Sequence, residues 1–150
     1  MARSQVIGNV GMYYAAYRLS KMGWTVMPTS RNAWGIYLLA YDDAADRKLG
    51  IQVKALSTCN PVPLGFSVDN FMGDWWIIVT KATTEPECFI MKPNEVRRLA
   101  FRGEENRKVS FWLQPSQYDT DEFRERWDRI GRGDDQVVAC EREDHDVPAE

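Results

Sequence analysis

Residues 74–82, DWWIIVTKA, make the most apolar stretch of the chain, and from Trp75 to Val79 no polar residue interrupts it. A strand that faces water on one side alternates apolar with polar residues, whereas a strand without alternation is covered on both faces. Such a strand belongs in the middle of a sheet, with packed layers on either side. The flanking sequence supplies the layers. Residues 5–22, QVIGNVGMYYAAYRLSKM, place Val6, Val10, Tyr13, Tyr14, Tyr17 and Leu19 near helical spacing, with Gly23 as a stop. WTVMPTS (24–30) is short and β-rich, with Pro28 marking an edge or an early end. WGIYLLAYD (34–42) and KLGIQVKALS (48–57) predict two strands joined by a turn at 43–47.

Further on, ECFIMK (87–92) and KVSFWLQ (108–114) predict two more strands, and PNEVRRLAF (93–101) a helix opened by Pro93. DTDEFRERWDRIG (119–131) has acids in its first turn, arginines later and Gly131 as a stop, which predicts a last helix. Residues 58–73 form a loop longer than most internal connections, a candidate for function. The expected fold class is α/β or α+β, with one mixed central β-sheet flanked by helices.

Composition narrows the class. A chain of 150 residues lies in the size range of one domain, and no apolar run approaches the ~20 residues that a membrane span needs. The N-terminus runs into the helical pattern without a long uncharged segment and cleavage site, so a cytoplasmic protein is expected. Cys59, Cys88 and Cys140 are far apart and form no CxxC pair, which argues against a zinc site or a disulfide framework. The only histidine, His145, sits in an acidic tail, which argues against Ser-His-Asp or Cys-His chemistry. Net charge is -3 but uneven: positions 1–133 carry 15 acidic and 18 basic residues, and the remainder carries seven acids against Arg142 alone. The expected organisation is a single domain over 1–133 followed by an acidic, disordered tail over 134–150. That asymmetry suits a nucleic-acid-facing body shielded by its own tail, or simply a solvated terminus.

The stretch GIQVKAL (50–56) raises the functional question. Ile51, Val53 and Ala55 share one face of a strand, and Gln52 and Lys54 share the other. In order and spacing, the helix ending at Gly23, then GWTV, NAWGIYLLAYD and GIQVKAL, resembles the start of a PD-(D/E)XK nuclease-like domain, with its restriction-endonuclease-like fold. The resemblance covers roughly residues 8–57, with weaker support from DWWIIV and ECFIMKPNEVRRL.

That resemblance implies a helix glutamate, a strand aspartate and a (D/E/Q)-x-K pair. The acids hold Mg²⁺ or Mn²⁺, which polarises the scissile phosphate and activates water, while the lysine orients the water or steadies charge. Carried over, Gln52 takes the metal-side position and Lys54 the lysine; the expected aspartate falls on Tyr37 and the expected glutamate on Met12. No metal is expected, with Gln52 the ligand if there is one, because an amide, a phenol and a thioether supply none of the carboxylates a hard cation wants. Asp43 is in phase with Tyr37 but about 20 Å along an extended strand, and Asp42 is on the opposite face. Asp69 and Asp74 border the long loop.

The resemblance thus implies a non-catalytic nucleic-acid- or protein-binding module in a defence or mobile-element setting. The alternative is an active Mg²⁺-dependent endonuclease that uses Gln52 and Lys54 with carboxylates from elsewhere. A plain interaction protein is a third reading. DNA or another protein is the expected partner, with no membrane, and the oligomeric state is open. Candidate nucleic-acid contacts are Arg31, Asn32 and Trp34 before the site strand, and Arg97, Arg98 and Arg102, which few acids neutralise. Arg124, Arg126, Arg129 and Arg132 are interleaved with acids and read as ion pairs on an exposed helix. At least one of Trp75 and Trp76 is expected in the core, and Trp112 and Trp127 follow strand and helix patterns.

Overall fold

The mixed central sheet is present, and a second, smaller sheet lies against one of its faces. The computed structural model describes residues 2–30 and 37–134. In chain order the elements are α1 (Ala2–Lys21), β1 (Thr25–Pro28), β2 (Leu38–Tyr41), β3 (Lys48–Ala55), β4 (Val62–Gly65), β5 (Trp75–Thr80) and β6 (Glu87–Met91). They continue with α2 (Pro93–Leu99), β7 (Phe101–Glu105), β8 (Lys108–Leu113), α3 (Pro115–Tyr118) and a 3₁₀ turn at Trp127–Arg129. The large sheet runs β1-β2-β3-β5-β6 and the small one β4-β8-β7. All pairings are antiparallel except β3 with β5, which makes the fold a mixed α+β one. Among the described residues, no helix is long and apolar enough to cross a membrane.

β5 is the interior strand its composition demands, with all six residues buried. Its alternate side chains feed two separate cores. Trp75, Ile77 and Val79 join Ile51, Val53, Leu38 and Ala40 beneath Ala15 and Leu19 of α1. Trp76 and Ile78 join Phe89 and Met91 on the other face, covered by Val62, Leu64, Val96, Leu113, Tyr118 and Phe123. Both neighbouring tryptophans are therefore core residues, one on each side.

Helix α1 lies close to the sheet because of one glycine. A Cβ on Gly11 would collide with Ala55 of β3, so the helix backbone rests directly on the strand. Gly8, one turn earlier, has nothing within 4 Å of its missing side chain.

Four expectations are corrected here. The 58–73 loop contains β4, and Phe101, expected to end the helix over 93–101, instead opens β7. Trp112 is not core; it is 38% exposed on the outside of the small sheet. Residues 119–131 are not a helix. They form turns, with Glu125 at a φ of 51°, and they cap the free edge of β6. Ile90 N–H donates to the Phe123 carbonyl at 2.9 Å, Glu125 N–H to the Cys88 carbonyl at 2.7 Å, and Cys88 N–H to the Glu125 carboxylate at 2.9 Å. Arg129 completes the edge by donating to the Ile90 carbonyl at 2.7 Å. Every outward polar group of Cys88 and Ile90 is thus paired, a need that outweighs the segment's own helical preference. Its arginines do pair with acids, but across turns and to other elements: Arg124 with Asp119, Asp121 and Glu87, Arg129 with Glu95.

The body continues to Asp134, whose carboxylate pairs with Arg132 and packs against Gly23. The expected tail otherwise lies outside the described residues.

The two glycines of α1 predict opposite outcomes for the same substitution. Gly8→Ala should stabilise the fold by about 0.5–1 kcal/mol through helix propensity. Gly11→Ala should destabilise it by about 1–3 kcal/mol through overpacking against Ala55. Urea denaturation of both variants checks the pair, and a stabilising Gly11→Ala would show that α1 does not sit where described.

Candidate functional site

Antiparallel pairing aligns Leu38 of β2 with Ile51 of β3. Tyr37, one residue before, donates its N–H to the Ile51 carbonyl at 3.0 Å and so stands across from Gln52. Tyr37, Gln52 and Lys54 then line one cavity of about 290 Å³ on the sheet face opposite α1. The long loop supplies the opposite wall through Ser67, Asn70, Phe71 and Met72. Trp76 holds that wall: its indole N–H donates to the Met72 carbonyl at 3.2 Å, and its ring lies 4.7 Å from that of Phe71.

Met12 is not in this cavity. It lines a neighbouring cleft of about 610 Å³ between α1 and the end of β1, together with Ser4, Gln5, Gly8, Asn9, Thr29 and Tyr37. Tyr37 lines both clefts.

The electrostatics of the smaller cavity are unusual. Gln52 is 4% exposed, a buried amide. Lys54 is half-buried, and burial pushes its ammonium below the usual lysine range. Among the described residues no carboxylate lines the cavity, and the Lys54 Nζ lies 5.8 Å from the ring centre of Trp76. A cation with no carboxylate among the described lining residues suits an incoming anion.

The donors do not suit a divalent metal. A buried amide, a half-exposed phenol and, one cleft away, a thioether offer no carboxylate. Among the described residues, no group of three Asp, Glu, His or Cys is placed to hold a metal ion. The acids that border the loop are committed elsewhere: Asp74 accepts the Gly50 N–H at 2.8 Å, and Asp69 folds back on Ser67. Asp42 closes the β2–β3 turn by accepting the amides of Asp46 and Arg47, while Asp43 binds Gly133 through its backbone.

The other sequence candidates separate from this site. Arg31, Asn32 and Trp34 lie outside the described residues. Arg97, Arg98 and Arg102 are exposed, and none of them lines either cleft. Arg97 donates to the Val68 carbonyl at 2.9 Å and thus braces the loop, and Arg102 pairs with Glu104 at 3.4 Å. Sequence reasoning missed Ser4, Gln5, Asn9, Thr29, Ser67 and Asn70. The unusual length of the 58–73 loop was the signal for the last two.

No protein-family model matches the chain, and no curated protein matches it. A solved structure, that of a bacterial homing endonuclease, I-Ssp6803I, does match. It superposes with a TM-score of 0.54 over 84% of this chain and 91% of its own, at 17% sequence identity. The chain has a nuclease-like fold.

The lowered Lys54 pKa has a consequence for stability. With the folded-state value below 10.5, the unfolded chain binds more protons in the interval between the two, so stability rises with pH there. The penalty for burying the ammonium is full below the folded-state value and fades toward pH 10.5. Lys54→Met should therefore raise the Tm at pH 7, and the gain should shrink in alkali. Thermal melts from pH 6 to 10 check it; a lower Tm for the variant would mean that Lys54 is satisfied in the fold.

Proposed function

We propose that this chain is a nuclease-like protein that engages nucleic acid without cutting it. One observation carries the reading: among the described residues, the polar lining of the two clefts that share Tyr37 consists of amides, hydroxyls and one cation, Lys54, with no carboxylate. Lys54 and the amides suit a phosphate, and among the described residues the clefts offer none of the carboxylates that would hold a metal for phosphodiester cleavage. Tyr37 and Met12 occupy the two positions where the PD-(D/E)XK resemblance calls for acids. The homing-endonuclease neighbour supports a nucleic-acid partner through its fold.

In this reading Lys54 meets a phosphate oxygen, which supplies the counter-charge that the cavity lacks. Gln52 offers an amide hydrogen bond beside it. Gln5 and Asn9 of α1, together with Thr29, line the wider cleft and offer donors and acceptors to sugar or base edges. Trp34, with Arg31 and Asn32, precedes Tyr37 in the sequence and is the stacking candidate.

Fluorescence anisotropy with a labelled duplex should show binding at low salt that weakens steeply as salt rises. Lys54→Ala should weaken it by about tenfold, the loss of one charge-assisted contact. Supercoiled plasmid should stay intact with Mg²⁺ or Mn²⁺. Nicking by the wild type that Lys54→Ala abolishes would establish the active-endonuclease reading instead.

A further inference from the structure

Helix α1 turns an apolar stripe toward water. Val6, Tyr13 and Tyr17 fall within about 40° of one another around a helix of 3.6 residues per turn, opposite Gly11, Ala15 and Leu19, which meet the sheet. They are 53%, 61% and 57% exposed, and half-buried Val10 adjoins them. The Lys21 Nζ lies 5.3 Å from the centre of the Tyr17 ring. α1 carries three basic residues, Arg3, Arg18 and Lys21, and no acid. Arg18 pairs with Glu125, but among the described residues no ion pair includes Arg3 or Lys21. The stripe is thus apolar along its length and basic at both ends.

The chain leaves the described body at the C-terminal end of this helix. Gly133 donates its N–H to the Met22 carbonyl at 3.0 Å, and the Asp134 carboxylate packs against Gly23. The residues that follow, DQVVACEREDHDVPAE (135–150), combine an apolar run, VVAC (137–140), with six acids against Arg142 alone.

We infer that the stripe docks this segment of the same chain, with 137–140 on Tyr17 and Tyr13 and the acids that follow directed toward Arg3, in place of the solvated terminus that composition suggests. Reach, charge and tethering select that occupant. At about 3.3 Å per extended residue, 137–140 lie roughly 10–20 Å from Asp134 and 141–146 roughly 23–40 Å. At about 1.5 Å per helical residue, Tyr17 and Tyr13 lie roughly 9–15 Å back from Gly23, and Arg3 roughly 30 Å. The apolar run therefore meets the tyrosines and the acidic run the basic end. A second copy of α1 would bring like charges together in either direction, since the helix holds no acid. Nucleic acid matches the charge but offers no aliphatic surface to Val6 and Val10. Tethering a few residues away holds the segment at a local concentration on the order of millimolar, so a weak contact suffices.

The test is iodoacetamide alkylation of the full chain without nucleic acid, with the rate at each cysteine read by peptide mass spectrometry. Cys140 lies in the docked run, and exposed Cys59 is the internal reference. Tyr13→Gln/Tyr17→Gln should speed Cys140 alkylation by about fivefold or more and leave Cys59 unchanged. Both tyrosines are more than half exposed and glutamine is a good helix former, so that variant keeps the fold. Val137→Ser/Val138→Ser, which alters the other partner, should have the same effect. Leu39→Gln, on the open face of the large sheet, should change neither rate. Equal Cys140 rates in the wild type and the tyrosine variant would overturn the inference; if that variant also bound duplex more weakly, the stripe would be a nucleic-acid surface. Release of Cys140 by Leu39→Gln would overturn it by placing the segment on the other face of the sheet. Protection that fades on dilution would overturn it too, assigning the stripe to a second copy.

Discussion

The cover on one face of the large sheet stops at β3, and the character of the molecule follows from that boundary. α1 shields one face across β2, β3 and β5, but on the other face, among the described residues, the small sheet, α2 and the capping segment pack on β5 and β6. Beyond the boundary, Met27 of β1 and Leu39 of β2, paired in register, are 49% and 42% exposed. Gln52 and Lys54 stand on the line between covered and open sheet. A polar side chain there is dehydrated enough to interact strongly and open enough to meet a ligand, which neither a core strand nor a surface strand offers.

Three devices hold the boundary in place. Gly11 lets α1 rest on Ala55, which brings the Met12 cleft up to Tyr37. Trp76 and Arg97 tie down the loop from Ser67 to Met72 that walls the Lys54 cavity. The turns after Tyr118 seal β6 through Glu125, which also accepts the Trp127 indole at 2.7 Å and pairs with Arg18 of α1 at 3.1 Å. One carboxylate thus joins the first helix, the last strand of the large sheet and the end of the described chain. The stability that these contacts supply is set against the burial of the Lys54 ammonium.

What was legible in the sequence was local and periodic. The unbroken WWIIV run marked β5 as doubly covered, and the alternation in GIQVKAL put Gln52 and Lys54 on one face. The helix from 5 to 22 and the strands at β2, β3, β6 and β8 followed from the same periodicities. The failures were all tertiary. Nothing local in DTDEFRERWDRIG reveals that β6 has an open edge to satisfy, so its helical charge pattern misled. β4 and β7 are short and carry Pro63, Gly65 and Gly103, and they are strands because β8 lies between them. Trp112 alternates correctly but faces outward, since alternation does not say which side is the core. At the site, order and spacing aligned Tyr37 with Gln52 and Lys54, whereas Met12 sits in the adjoining cleft that Tyr37 also lines.

The central claim is that a nuclease-like scaffold persists here without the acids that metal-dependent cleavage needs. Calorimetric titration of Mn²⁺ into the wild type and into Tyr37→Asp/Gln52→Glu tests it most directly. Tyr37 is 42% exposed, so shortening it leaves little cavity, and circular dichroism can establish that the variant is folded. Saturable Mn²⁺ binding by the double variant, with none by the wild type, is the expected result. Saturable binding by the wild type, or none by the folded double variant, would contradict it.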